Sequence, residues 1–121
     1  MTHAPPPIAC DLSRLSADER ATLMTCARAL LGEVEALHET EGGYRLRLRE
    51  GPQTIARATS FIALDRRCCP FLRHALVSEP PGARAGLWLE LDGPEGAKAY
   101  LADELAALLP VGLARPEPPT P

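Results

Sequence analysis

The sequence has no Cys-x-x-Cys pair, no two histidines at metal-ligand spacing, no glycine-rich phosphate loop and no nucleophile elbow. No nucleotide-handling or hydrolytic reaction can therefore be assigned from motifs, and a zinc-ribbon site is disfavoured. Long apolar runs are also missing, which leaves no candidate for a membrane-spanning helix. The opening Met1-Thr2-His3-Ala4 has no basic region, and Pro5-Pro6-Pro7 stands where an export signal needs an apolar stretch, so a cytoplasmic protein is expected. Excess charge is missing too. A formal net charge of -3 offers no electrostatic case for nucleic acid or an anionic membrane as partner. Lysine occurs once beside twelve arginines, a bias that reads as coding composition.

What remains is ordinary globular material. With 121 residues, 45% apolar and 24% charged, the chain fits one domain with a single core. The expected boundaries are an extended lead-in at 1–15 that contains Cys10, one α+β domain at 16–109, and a proline-rich disordered tail at 110–121. In a reducing compartment the four cysteines read as thiols, metal ligands or redox groups rather than as a disulfide framework.

The chemistry concentrates in Asp65-Arg66-Arg67-Cys68-Cys69-Pro70-Phe71. On a helix ending at Pro70, Asp65 lies three residues before Cys68 and four before Cys69, the spacings at which helical side chains meet. Ile55, Ala58, Phe61, Ile62, Leu64, Cys68 and Cys69 share one arc of the helical wheel, and Asp65 falls near its middle. A carboxylate on an apolar face requires a partner, a proton or a metal. A salt bridge to an arginine, or a helix end open to water, is the bland account of it.

The remaining elements follow from capping and periodicity. Ser16-Ala17-Asp18-Glu19 has the capping-box form and predicts a helix from Ala17 to Leu31, with Cys26 as a small buried hydrophobe on it. A strand of uncertain phase near 34–40 and the alternating Tyr44-Arg45-Leu46-Arg47-Leu48-Arg49 form a hairpin about Glu41-Gly42-Gly43. Gly51-Pro52 is expected to open the second helix and Gly93-Pro94 the third. Strands are expected at 71–79 and 86–92. The fold class is thus α+β: an N-terminal helix, then two strand-strand-helix units forming a four-stranded, mainly antiparallel sheet with helices on one face. Arg45, Arg47 and Arg49 would meet Trp88 and Glu90 if strands two and four are neighbours. An outward-facing Trp88 would instead imply a homodimer through that sheet face.

For the thiols, metal binding leads. Adjacent cysteines suit ions content with two or three soft ligands, namely mercury(II), copper(I) or arsenic(III), with zinc an option if Asp65 or His74 joins. The metal site is therefore Cys68 and Cys69, Cys10 as a third thiol, and Asp65 as a neighbouring base or oxygen ligand, with Arg66 and Arg67 offsetting the negative charge. His74 reads as a satisfied core-edge histidine. A redox-sensing thiol protein is the second reading, opposed by the placement of the thiols at the carboxyl end of a helix. An interaction module with packed cysteines is the third. All three describe binding or signalling, and none assigns turnover.

The run Leu64-Asp65-Arg66-Arg67-Cys68-Cys69-Pro70-Phe71-Leu72, with Trp88-Leu89-Glu90-Leu91-Asp92-Gly93-Pro94-Glu95-Gly96, resembles a group of small uncharacterised bacterial proteins that carry a Cys-Cys-Pro-Phe segment. Similar segments are linked to heavy-metal resistance regulators. The resemblance extends from Ile8 to Leu109 and includes Cys10-Asp11-Leu12. It implies a thiol site, with Glu expected in the group at the place of Asp65 and an aromatic at the place of His74, and it carries no activity.

Overall fold

The computed structural model describes residues 8–110. Ile8 and Ala9 lead into a short 3-10 helix at Leu12–Arg14, followed by α1 (Ala17–Leu31), β1 (Val34–Glu39), β2 (Gly43–Leu48), α2 (Thr54–Cys68), β3 (Arg73–Glu79), β4 (Gly86–Asp92) and α3 (Ala97–Leu108). The lead-in is thus locally helical just before α1. Of the expected tail, all but Pro110 lies outside the described residues. No described helix is long and apolar enough to cross a membrane.

α1 begins where its capping box places it, because the Ser16 side chain accepts from the Glu19 N–H while the Glu19 carboxylate accepts from the Ser16 N–H. The two Gly-Pro pairs act differently from expectation. Pro52 is not the first residue of α2. The chain makes a turn in which the Thr54 N–H donates to the Gly51 carbonyl and the Thr54 hydroxyl to the Arg49 carbonyl, and only then does the helix start. Likewise the Ala97 N–H donates to the Pro94 carbonyl, and α3 starts after Gly96, whose φ of 95° lies in the left-handed region that glycine occupies without penalty.

The four strands form one antiparallel sheet in the order β1-β2-β4-β3. In the central pair Tyr44, Leu46 and Leu48 lie opposite Leu91, Leu89 and Leu87. These residues share a core with Leu30 and Leu31 of α1 and Leu101 and Leu105 of α3. The other face carries the arginines. Arg45 stacks on Trp88 with its guanidinium carbon 4.6 Å from the ring centroid, while Arg47 and Arg49 pair with Glu35. Trp88 is 5% exposed, and its indole N–H donates to the Arg84 carbonyl. It is therefore covered within its own chain and is not the outward-facing aromatic on which the homodimer expectation depended.

Candidate metal centre

The site forms where α2 runs out. The last four carbonyls of an α-helix have no partner inside it, and Pro70, lacking an N–H, cannot continue the ladder. The Cys69 N–H donates to the Asp65 carbonyl at 2.8 Å and caps the helix. The Cys68 carbonyl is satisfied from far away in sequence, by the Asp11 N–H at 2.7 Å. That one backbone hydrogen bond brings residue 10 to the helix end. Asp11 in turn caps the following 3-10 helix, accepting from the Ser13 N–H and hydroxyl.

The Cys10 Sγ consequently lies 3.2 Å from the Cys68 Sγ, and the Cys68 Sγ lies 3.9 Å from the Cys69 Sγ. All three sulfurs fall within 4.8 Å of one another. Cys68 and Cys69 are buried, Cys10 is half-buried, and all four cysteines of the chain are free thiols. Cys26 stands apart from the group. It is half-buried on α1 rather than part of the core, because its helix presents Leu23, Ala27 and Leu30 inward instead.

Asp65 borders the trio. Its Oδ1 lies 4.0 Å from the Cys68 Sγ and 3.8 Å from the Cys69 Sγ, at which the thiols can donate to it weakly, and its Oδ2 is 2.7 Å from His74 Nε2. The carboxylate on the apolar face is thus accounted for by a largely buried histidine, not by an arginine. His74, tilted edge-on to Phe61, is a satisfied core histidine whose one polar contact fixes Asp65. Tyr100 of α3 was not legible as part of the site. Its hydroxyl lies 3.9 Å from the Cys69 Sγ, and its ring packs perpendicular to Phe71 at 5.1 Å.

The arginines do not compensate the thiols as expected. Arg66 and Arg67 are both exposed, and Arg67 pairs with Glu19 and donates to the Arg14 carbonyl. Glu19 is free to take it because the capping geometry of α1 points that carboxylate toward α2. The electrostatics of the trio are therefore those of an uncompensated pocket. Burial pushes the Cys68 thiol up to about 12, aided by the Cys10 contact and by the Asp65 carboxylate. Burial raises Cys69 still further, with the Asp65 carboxylate the next cause. Burial and the nearby Cys69 likewise raise the Tyr100 hydroxyl. Without a cation, Cys68 and Cys69 are held as neutral thiols.

Comparison of the chain with protein-family models, with curated proteins and with solved structures gave no match.

Proposed function

We propose that this protein binds one soft metal or metalloid ion through the thiolates of Cys10, Cys68 and Cys69. The observation that carries the reading is the convergence of three free sulfurs within 4.8 Å, one of them brought in across 58 residues of sequence. At thiolate bond lengths of about 2.3 Å, three sulfurs around one ion stand roughly 3.8 to 4.0 Å apart. The Cys68–Cys69 separation of 3.9 Å already falls in that range, and the Cys10–Cys68 separation of 3.2 Å is shorter than it, so a small side-chain rotation of Cys10 would open the trio around an ion. Asp65 sits at the outer edge of the trio, where it accepts weak hydrogen bonds from the Cys68 and Cys69 thiols in the empty state. Tied to His74, it serves as a positioning neighbour rather than as a ligand.

Ligand number favours mercury(II), copper(I) or arsenic(III) over zinc, since a tetrahedral zinc site would need a fourth donor and the one histidine close by among the described residues is engaged with Asp65. With no arginine among the described residues against the sulfurs, an ion that neutralises its own ligands is the least costly to bury. Trivalent arsenic with three thiolates is neutral.

Titration of the reduced protein with mercury(II), copper(I), arsenite and zinc(II) tests the reading. It requires tight one-to-one binding of a soft ion, lost in Cys68→Ser and Cys69→Ser, weakened in Cys10→Ser and unchanged in Cys26→Ser. Absence of binding by mercury(II), copper(I) and arsenite would refute it, whether or not zinc(II) binds. The 3.2 Å contact between Cys10 and Cys68 favours one competing reading, a redox pair that avoids the strained ring of adjacent cysteines. In that case one peroxide takes two hydrogens from the two thiols, leaving a Cys10–Cys68 disulfide and two waters. The raised thiol of Cys68 slows this step, because the thiolate is the attacking species.

A further inference from the structure

A cavity of about 320 Å³ adjoins the thiols. Its floor includes Leu89 and Leu91 of the sheet, its sides come from α1 and α3, and Cys10 and Cys69 line it, whereas Cys68 does not. Asp65 and Glu104 are its only charged walls, and Asp65 is already paired with His74. Among the described residues no cationic side chain faces it, so a ligand bearing a carboxylate or phosphate would enter without a counter-charge from them. Of the four large apolar side chains most exposed among the described residues, three, Leu12, Met24 and Leu108, also line this cavity and therefore mark its mouth.

Close-packed interiors keep few voids larger than a water molecule, and an apolar cavity of about 150 Å³ suffices to bind benzene. A space twice that size, lined mainly by apolar side chains and ending at two thiols, is more than an inorganic ion requires. Resting on the metal-binding reading above, we infer that the cargo is a trivalent arsenic species carrying one carbon substituent, its arsenic held by Cys10 and Cys69 and its organic group lying in the cavity. Such an arsenic has two exchangeable positions, matching the two sulfurs that line the space. In the reaction R–As(OH)₂ plus two thiols gives R–As(SCys)₂ plus two waters. Two As–O bonds and two S–H bonds break, two As–S bonds form, each hydroxide leaves with a thiol proton, and neither carbon nor arsenic changes oxidation state.

The test measures binding of phenylarsine oxide, methylarsonous acid and arsenite to the reduced full chain, each in competition with dithiothreitol so that intrinsic thiol affinity cancels. The wild type should prefer the phenyl over the methyl species by roughly 30-fold, the scale expected for burying the additional apolar surface of the ring. Ala27→Phe, which fills the cavity from α1, should bring that ratio close to one, and Met24→Glu at the exposed mouth should lower it with less risk to folding. Cys68→Ser should lose tight arsenite binding, which needs three sulfurs, while leaving the phenyl species bound. Cys69→Ser should lose both. Equal competition-corrected affinities for phenyl and methyl species, or an unchanged ratio in both cavity variants, would overturn this inference while soft-ion binding stood. Failure of arsenite, mercury(II) and copper(I) to bind as well would overturn the metal-binding reading with it.

Discussion

The empty site should be chemically quiet, and the size of that effect follows from its burial. A thiol reacts with iodoacetamide as its thiolate. In the unfolded chain Cys68 has the ordinary value of 9.0, whereas in the folded protein it is pushed up to about 12 by burial, the Cys10 contact and the Asp65 carboxylate. At pH 8 the thiolate fraction falls from about a tenth to about one part in ten thousand, so alkylation should slow about a thousandfold on folding. The same shift fixes the sign of the pH dependence of stability. The folded value lies above the unfolded one, so stability is fully present below about pH 9 and is lost as the pH rises toward 12. Because Cys68 is completely buried, its contribution to that loss is about 1.4 kcal/mol between pH 8 and pH 10, with Cys69 adding loss in the same direction. Peptide-resolved mass spectrometry of alkylation, in native buffer and in urea, measures the first effect. Urea unfolding at the two pH values, wild type against Cys68→Ser, measures the second. Alkylation of native Cys68 within tenfold of its unfolded rate at pH 8 would refute the electrostatic account of the site.

Further outcomes follow from single contacts. Asp65→Asn removes the carboxylate that raises both buried thiols, so native Cys69 should alkylate several-fold faster. Because the substitution also changes the partner of a largely buried His74, it should cost about 1 to 3 kcal/mol in urea unfolding. Asp11→Pro deletes the N–H that holds the lead-in to the Cys68 carbonyl, whereas Asp11→Asn keeps it. Soft-ion affinity should drop in the proline variant to the level of Cys10→Ser and stay near wild type in the asparagine variant, as read by competition titration. Gly43→Ala would place a methyl group 2.0 Å from the Leu91 carbonyl oxygen, between β2 and β4. The backbone there cannot yield without breaking the ladder, and thermal unfolding should show a loss above about 3 kcal/mol or no folded protein at all.

The sequence disclosed most of the fold wherever the deciding interaction is local. The capping box of Ser16 and Glu19 and the alternation of Leu87, Leu89 and Leu91 locate α1 and β4 because both signals lie within a few residues of the element they define. Register between β2 and β4, and with it the stacking of Arg45 on Trp88, follows from matching the two leucine faces. The phase of β1 was hidden for a physical reason. An irregularity in the pairing between Val34 and Ala36 leaves Glu35 without a partner residue, so buried Val34 and Leu37 are separated by three positions and no period of two survives. The Gly-Pro pairs misled because proline is as compatible with the turn before a helix as with its first residue, and the Thr54 bonds to Gly51 and Arg49 select the turn.

The site divides along the same line. Asp65, Cys68 and Cys69 are legible because helical spacing alone brings them together. Cys10 is different. A proline after a helix end leaves a carbonyl in need of a donor, so some distant N–H must arrive there, but helical periodicity cannot say whose. The Asp11 N–H arrives, and the sulfur of the preceding residue comes with it. Arg67 fails in the opposite way. Its position next to Cys68 in sequence suggested charge compensation, yet adjacent helical residues point about 100° apart, and Glu19 on α1 is a better partner than a neutral thiol. The absence of that cation from the pocket shapes the chemistry as much as the thiols do. Buried as they are, the Cys68 and Cys69 thiols resist ionising and reacting, and they release their protons only to a ligand that brings enough positive charge of its own.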